Sequence, residues 1–233
     1  MRTIVKQVLC IVLLSMCVAP AFAEQQCRLP AQLQPWDYNS SKAIKHGKDW
    51  QNSSTTTDYW MLSLSWSKAY CEKFKSGRIP AHARHQCVNN EFGLVVHGLW
   101  AQSAVAGKNT KAHPRNCQDV SAIPASEIEK YLCEIPGTRL MQMQWEKHGT
   151  CDFDNASHYL SKTRQLFRQL NLPSRKMLEN MEYSSWKNIK RKIIEMNRPS
   201  GLRNEHVYVK FRKKRLHEIY ICYDLDYRYT ACR

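Results

Sequence analysis

The chain has no Cys-x-x-Cys pair among its ten cysteines, which argues against a zinc ribbon or a dithiol redox site. Beyond residue 23 it has no apolar run long enough to cross a bilayer. It has no internal repeat, which excludes a solenoid or propeller. Acidic residues are scarce. Twenty Asp and Glu stand against 35 Lys and Arg, giving a formal charge of +15. A basic surface of this kind attracts polyanions in a salt-dependent way. Charge alone does not choose between RNA, DNA, anionic lipid and glycan.

What is present begins with an export signal. Arg2 and Lys6 give a basic start, Val8 to Val18 is a short apolar run, and Ala21-Phe22-Ala23 offers a cleavage site. Residues 1–23 are therefore expected to be a signal peptide. The remainder, 24–233, is expected to be one domain of a secreted or periplasmic protein with no stable membrane association. Cys10 and Cys17 fall within the signal. Eight cysteines remain, Cys27, Cys71, Cys87, Cys117, Cys133, Cys151, Cys222 and Cys232. An even number in an exported chain points to four disulfides. His82-x-x-His85 has metal-ligand spacing, but beside Arg84 in a basic loop it reads as a solvated pair, so no metal or other cofactor is expected.

Residues 24–57 are polar and irregular, an arm tied down by Cys27. Tyr59 to Trp66 and Phe92 to Leu99 read as buried strands, with His97 near the end of the second. Gly77 to Asn90 reads as a basic loop bracketed by Cys71 and Cys87, and Ser103 to Pro124 as an exposed loop. Ser126 is placed to cap a short helix, with Glu129 completing a capping box. Tyr159 to Leu170 and Ser184 to Met196 have helical patterns, the latter with Trp186, Ile189 and Ile193 on one side. His206 to Arg212 and Leu216 to Leu225 are further strands. Helices and strands mix without a βαβ rhythm, which predicts an α+β fold.

Two short segments carry the chemistry. One is Val96-His97-Gly98-Leu99-Trp100. The other is Gln144-Trp145-Glu146-Lys147-His148-Gly149-Thr150-Cys151. Cleaving RNA without a metal requires two proton-transfer groups on opposite sides of one phosphate, and histidine suits that task near neutral pH. The second segment is expected to be helical. Gln144, Lys147 and His148 then fall at i, i+3 and i+4 on one face, and Trp145 turns toward the core.

Together the two segments resemble the active-site motifs of the ribonuclease T2 family of secreted, disulfide-bonded endoribonucleases. Leu62-Ser63-Leu64-Ser65-Trp66-Ser67 followed by Cys71 is similar to the strand that precedes the first motif in bacterial members, and Ile221-Cys222 with Cys232 resembles the closing disulfide. The resemblance covers nearly all of residues 24–233. It implies a central antiparallel sheet flanked by helices, and cleavage of single-stranded RNA by transphosphorylation to 2′,3′-cyclic phosphate ends. His148 would be the general base, His97 the general acid, and Lys147 the stabiliser of phosphoryl charge. By position and by the resemblance, Cys117 pairs with Cys151 and Cys222 with Cys232. Cys71–Cys87 and Cys27–Cys133 complete the set. A monomer acting on RNA is expected.

The chain departs from the family at Met143-Gln144, where a histidine and a glutamate are usual. Glutamine can hydrogen-bond a phosphoryl oxygen but cannot exchange a proton, so a loss of about one or two powers of ten in rate is expected. Glu146, on the other side of Trp145, does not inherit the role. Ala101 replaces the proline that commonly follows the first motif. Trp100 is placed either to stack on a base or to pack under His97, and Gln102 either to contact a base edge or to sit in an exposed loop. The run Lys210 to Arg215 reads as a solvated strand edge and turn. The alternative function is a catalytically weakened, RNA-binding or toxin-like secreted protein. A cationic membrane-active protein is disfavoured by the lack of a sufficiently apolar amphipathic helix.

Overall fold

The structure, a computed structural model, describes residues 27–74, 78–107 and 109–233; the expected signal peptide, residues 1–23, lies outside them. Four strands form one sheet: β1 (Tyr59–Trp66), β2 (Leu94–Gln102), β3 (Val207–Arg212) and β4 (Arg215–Tyr223). Their order is β2-β1-β4-β3, and every neighbouring pair is antiparallel. In chain order the helices are α1 (Ser40–Lys45), α2 (Ser67–Cys71), α3 (Ala81–Cys87), α4 (Ala125–Glu129), α5 (Thr138–His148), α6 (Ala156–Arg168), α7 (Arg175–Met181) and α8 (Trp186–Asn197). The fold is α+β.

Alternation in β1 builds the core. Trp60, Leu62, Leu64 and Trp66 are all buried on one face. The register sets Leu62 beside Leu99 and Ile221, and Leu64 beside Val96 and Ile219. Three strands thus present one continuous apolar layer, and each such side chain stabilises the fold by about 1.5–3 kcal/mol. Helices α5 and α6 pack against β2, and α8 packs against β3. Strand β2 lies at a sheet edge, where unpaired backbone groups are a liability. Tyr159 of α6 closes part of that edge, since its hydroxyl accepts from Leu99 N at 3.1 Å and donates to Leu99 O at 3.0 Å.

Four disulfides form, Cys27–Cys133, Cys71–Cys87, Cys117–Cys151 and Cys222–Cys232. Among the described residues no helix is long and apolar enough to cross a membrane.

Local expectations differ from the fold in several places. The segment read as a basic loop contains α3, whose His85 is buried and bonds Leu132 O at 3.2 Å rather than standing in solvent. Helix α4 is capped two residues earlier than expected. Pro124 takes the N-cap position, so the Ser126–Glu129 capping box does not form. Trp186 begins α8 but is 48% exposed, because the buried stripe runs through Ile189 and Ile193. The loop from Ser103 to Pro124 is not simply exposed, since Ser103, Asn116 and Ile123 are buried.

Candidate active site

His97 lies in the middle of β2, not near its end. The pairing with β1 passes from Ser63↔Gly98 to Leu64↔Val96, so His97 is the extra residue of a β-bulge. A bulge bends the strand and re-aims the side chain at that position. The imidazole meets β4, and its Nδ1 lies 2.8 Å from Glu218 Oε1. That contact leaves Nε2 on the far side of the ring, away from Glu218.

Helix α5 brings the second set. Gln144 and His148 are buried on it, and Trp145 turns into the core. The glycines that follow the two histidines both sit where a Cβ would displace a neighbour, at Gly98 the end of a flexible side chain and at Gly149 two packed rings. A Cβ on Gly98 would fall 2.2 Å from Gln144 Oε1. One on Gly149 would fall 2.4 Å from Trp145 Cε3 and 2.8 Å from Tyr159 Cδ2. Glycine at both positions lets α5, α6 and β2 approach this closely.

Trp100 joins the two halves. Its ring is edge-on to His97 at 5.2 Å and stacked on His148 at 5.5 Å. Its Nε1 donates to Gln144 Oε1 at 2.7 Å. Gln144 therefore spends its carbonyl on Trp100 and keeps its amide NH2 as the free donor. Gln102 is buried, and its amide donates to Ala101 O, so it is not presented to a base edge. Glu146 is fully buried and accepts from Ser40 N and Gln142 Nε2.

The two histidines sit in opposite fields. His97 faces a carboxylate. Although burial alone would raise it, hydrogen bonds from His97 and Tyr220 hold the Glu218 carboxyl well below the usual range. Lys210 Nζ, at 3.2 Å, adds to this. His148 faces cations. Burial, then the charges of Arg115, His97 and Lys147, push its imidazole well below its ordinary value. Arg115 NH1 is 3.5 Å from His148 Nε2, while His148 Nδ1 is buried with no hydrogen-bond partner among the described residues. Lys147 is itself pushed down by burial and by Arg115.

Sequence reasoning missed four participants, namely Tyr38 and Asp49 in the arm, Arg115 in the loop, and Glu218 on β4. Two of them carried a readable signal. Glu218 is the one acid within Leu216–Tyr223, a segment otherwise apolar and aromatic but for His217. Arg115 stands two residues before Cys117, whose disulfide partner Cys151 follows His148 by three. Asp49 and Tyr38 gave none. Among the described residues no group of three or more His, Cys, Asp or Glu side chains is placed to hold a metal ion.

A sequence model of the Ribonuclease T2 family matches residues 57–232. A "probable ribonuclease" of Haemophilus influenzae is 38% identical over 188 residues, covering 78% of this chain and 64% of that protein. The chain thus spans less than two thirds of that relative's length. A ribonuclease of Aeromonas hydrophila is 29% identical over 175 residues, 71% of each chain. Among solved structures, an RNase-related protein from Calystegia sepium superposes with a TM-score of 0.57 at 20% identity, covering 76% of this chain and 91% of its own. Trichomaglin, described as an S-like ribonuclease, also gives 0.57, at 22% identity, covering 76% and 92%. The match to the family spans both histidine segments and the whole sheet, and the chain belongs to the ribonuclease T2 family.

Proposed function

We propose that this protein is a metal-independent endoribonuclease that cleaves single-stranded RNA by transphosphorylation. The observation that carries the reading is the pair of histidines across Trp100, one bonded to a carboxylate and the other facing a guanidinium. Environments that differ in this way separate a proton donor from a proton acceptor.

His148 is the base. It is held neutral, and Arg115 near Nε2 favours the tautomer with its proton on Nδ1. The Nε2 lone pair takes the proton of the ribose 2′-OH. The 2′-oxygen attacks phosphorus, the P–O2′ bond forms and the P–O5′ bond breaks. His97 gives the Nε2 proton to the departing O5′ while Glu218 stabilises the ring through Nδ1. The products are a 2′,3′-cyclic phosphate and a free 5′-OH. Lys147, and the amide NH2 of Gln144, answer the charge that grows on the phosphoryl oxygens. DNA lacks the 2′-OH and is not cut. Residues 24–233 act as one catalytic domain behind an export signal at 1–23. The four disulfides need an oxidising compartment, which favours a secreted or periplasmic protein; it acts as a monomer.

The test is the disulfide-intact protein in EDTA with a defined RNA and its 2′-deoxy counterpart. Cyclic phosphate ends from RNA alone are expected. Intact RNA across acid to neutral pH would hand the protein to the alternative reading, a T2-like RNA-binding or toxin-like protein, which Met143-Gln144 favours. Gln144→Glu belongs in the same assay. The substituted carboxylate still accepts from Trp100 Nε1, and a rate gain of about tenfold is expected. No gain would show that Gln144 is not the deficit it resembles.

A further inference from the structure

The arm before β1 reaches the two cations beside His148. Residues 27–56 lie outside the span matched by the family, yet they place Asp49 in the cleft with its side chain 1% exposed. Asp49 Oδ1 takes Arg115 Nε at 2.8 Å, and Oδ2 takes Arg115 NH2 at 3.2 Å. Oδ2 also meets Lys147 Nζ at 3.2 Å and accepts from the Tyr38 hydroxyl. The backbone N–H of Trp50 donates to Oδ1 at 2.9 Å. One carboxylate therefore aligns two cations, and the group as a whole stays positive by one charge. That matches the single negative charge of an entering phosphodiester.

Arg115 is clamped as a functional group would be. One edge of its guanidinium is spent on Asp49, and its plane lies over the Trp50 ring at 4.2 Å. NH1 is left over, 3.5 Å from His148 Nε2. The loop does not need this side chain to hold its shape. Arg115 and Asn52 exchange backbone hydrogen bonds at 2.9 Å, Asn116 N donates to Lys147 O, and Cys117 is tied to Cys151. A planar fork with one edge fixed on Asp49, and NH1 held only by a long 3.5 Å contact to His148 that an entering phosphate can replace, is the geometry that binds a phosphoryl oxygen.

We propose that Arg115 is a catalytic residue that binds the scissile phosphate beside His148, and that Asp49, delivered by the arm, is the positioning residue that sets Arg115 and Lys147 there. This rests on the reading of His148 as the base. The arm supplies the anionic side chain that α5, with Gln144, does not direct at Lys147.

The experiment uses the full disulfide-intact chain and measures kcat and KM on an oligoribonucleotide over a pH series, with thermal melting as the folding control. Arg115→Ala is expected to lower kcat about 10²-fold and to be partly rescued by added guanidinium ion. Arg115→Lys keeps the charge without the fork and should recover only part of the loss. The groups facing His148 are His97 on β2, Arg115 on the loop, Lys147 on its own helix and Asp49 on the arm. Removing the Arg115 cation therefore moves the acid limb of kcat/KM to higher pH. Asp49→Asn removes the one anion, so it lowers kcat about tenfold and moves that limb to lower pH. If wild type makes cyclic ends and folded Arg115→Ala keeps its kcat and its acid limb, the proposal is overturned. If wild type makes none, the acid–base reading falls, and the catalytic role of Arg115 falls with it.

Discussion

His148→Ala and His97→Ala will each lower cleavage of ordinary RNA by about 10³-fold, within the ~10²–10⁴ that positioned acids and bases supply. The double variant will lose little more than either single one, because the two rings serve one displacement and their effects do not multiply. What separates them is the leaving group. An aryl ester of a nucleoside 3′-phosphate departs as a stable phenolate and needs no proton. His97→Ala should therefore cleave it almost as fast as wild type does, while His148→Ala should stay slow. The reverse pattern would exchange the acid and base assignments. Equal losses on both substrates would point to a structural role for His97. The pH profile gives an independent check. A base must be unprotonated to work, and burial with Arg115, His97 and Lys147 nearby lowers the pKa of His148. The acid limb of wild-type kcat/KM should therefore lie below pH ~6.5, the ordinary histidine value. A limb above it would mean that these cations do not act on the base.

The parts of the fold that are periodic and local were legible. β1 has the bounds read from its run of aromatic and aliphatic residues, Tyr59–Trp66, because such a run must be buried. The i, i+3, i+4 spacing of Gln144, Lys147 and His148 needs only helical geometry. The His-Gly pairs were visible as motifs, but their cause is tertiary, since Gln144 lies over Gly98 and Trp145 with Tyr159 over Gly149. The bulge at His97 was not legible, because the extra residue exists only relative to β1. Nor were the partners of the two carboxylates, although Glu218 itself stood out as a lone acid in its strand. Glu218 lies 121 residues from His97, and Asp49 lies 66 from Arg115. No local pattern pairs residues at such distances. The arm reads as polar and irregular because its residues answer to the cleft and not to a helix or a strand. The Ser126–Glu129 capping box failed for a local reason: Pro124 already has the extended conformation an N-cap requires.

Glu218→Gln carries the second large effect, about 10²-fold on ordinary RNA. Glu218 is buried and receives three hydrogen bonds, from His97 Nδ1 at 2.8 Å, Tyr220 OH at 2.7 Å and Lys210 Nζ at 3.2 Å. An amide of the same size keeps the packing but removes the anion. Its carbonyl can still accept from Nδ1–H, so the ring need not turn. The loss should then be smaller than the ~10⁴ seen when the carboxylate of a serine-protease triad is replaced and the wrong tautomer results. What goes is stabilisation of the imidazolium that must deliver a proton to O5′. The deficit is therefore specific to the leaving group, and it should nearly vanish on the aryl ester that spares His97→Ala. Lys210 is half exposed at its side chain, so Lys210→Ala should change the rate by less than about threefold. A Glu218→Gln enzyme equally slow on both substrates, with a lowered melting point, would mean that Glu218 holds β4 against β2 and takes no part in proton delivery. An enzyme unaffected on either would show that the bulge alone, by aiming His97 at the cleft, is enough to make it an acid.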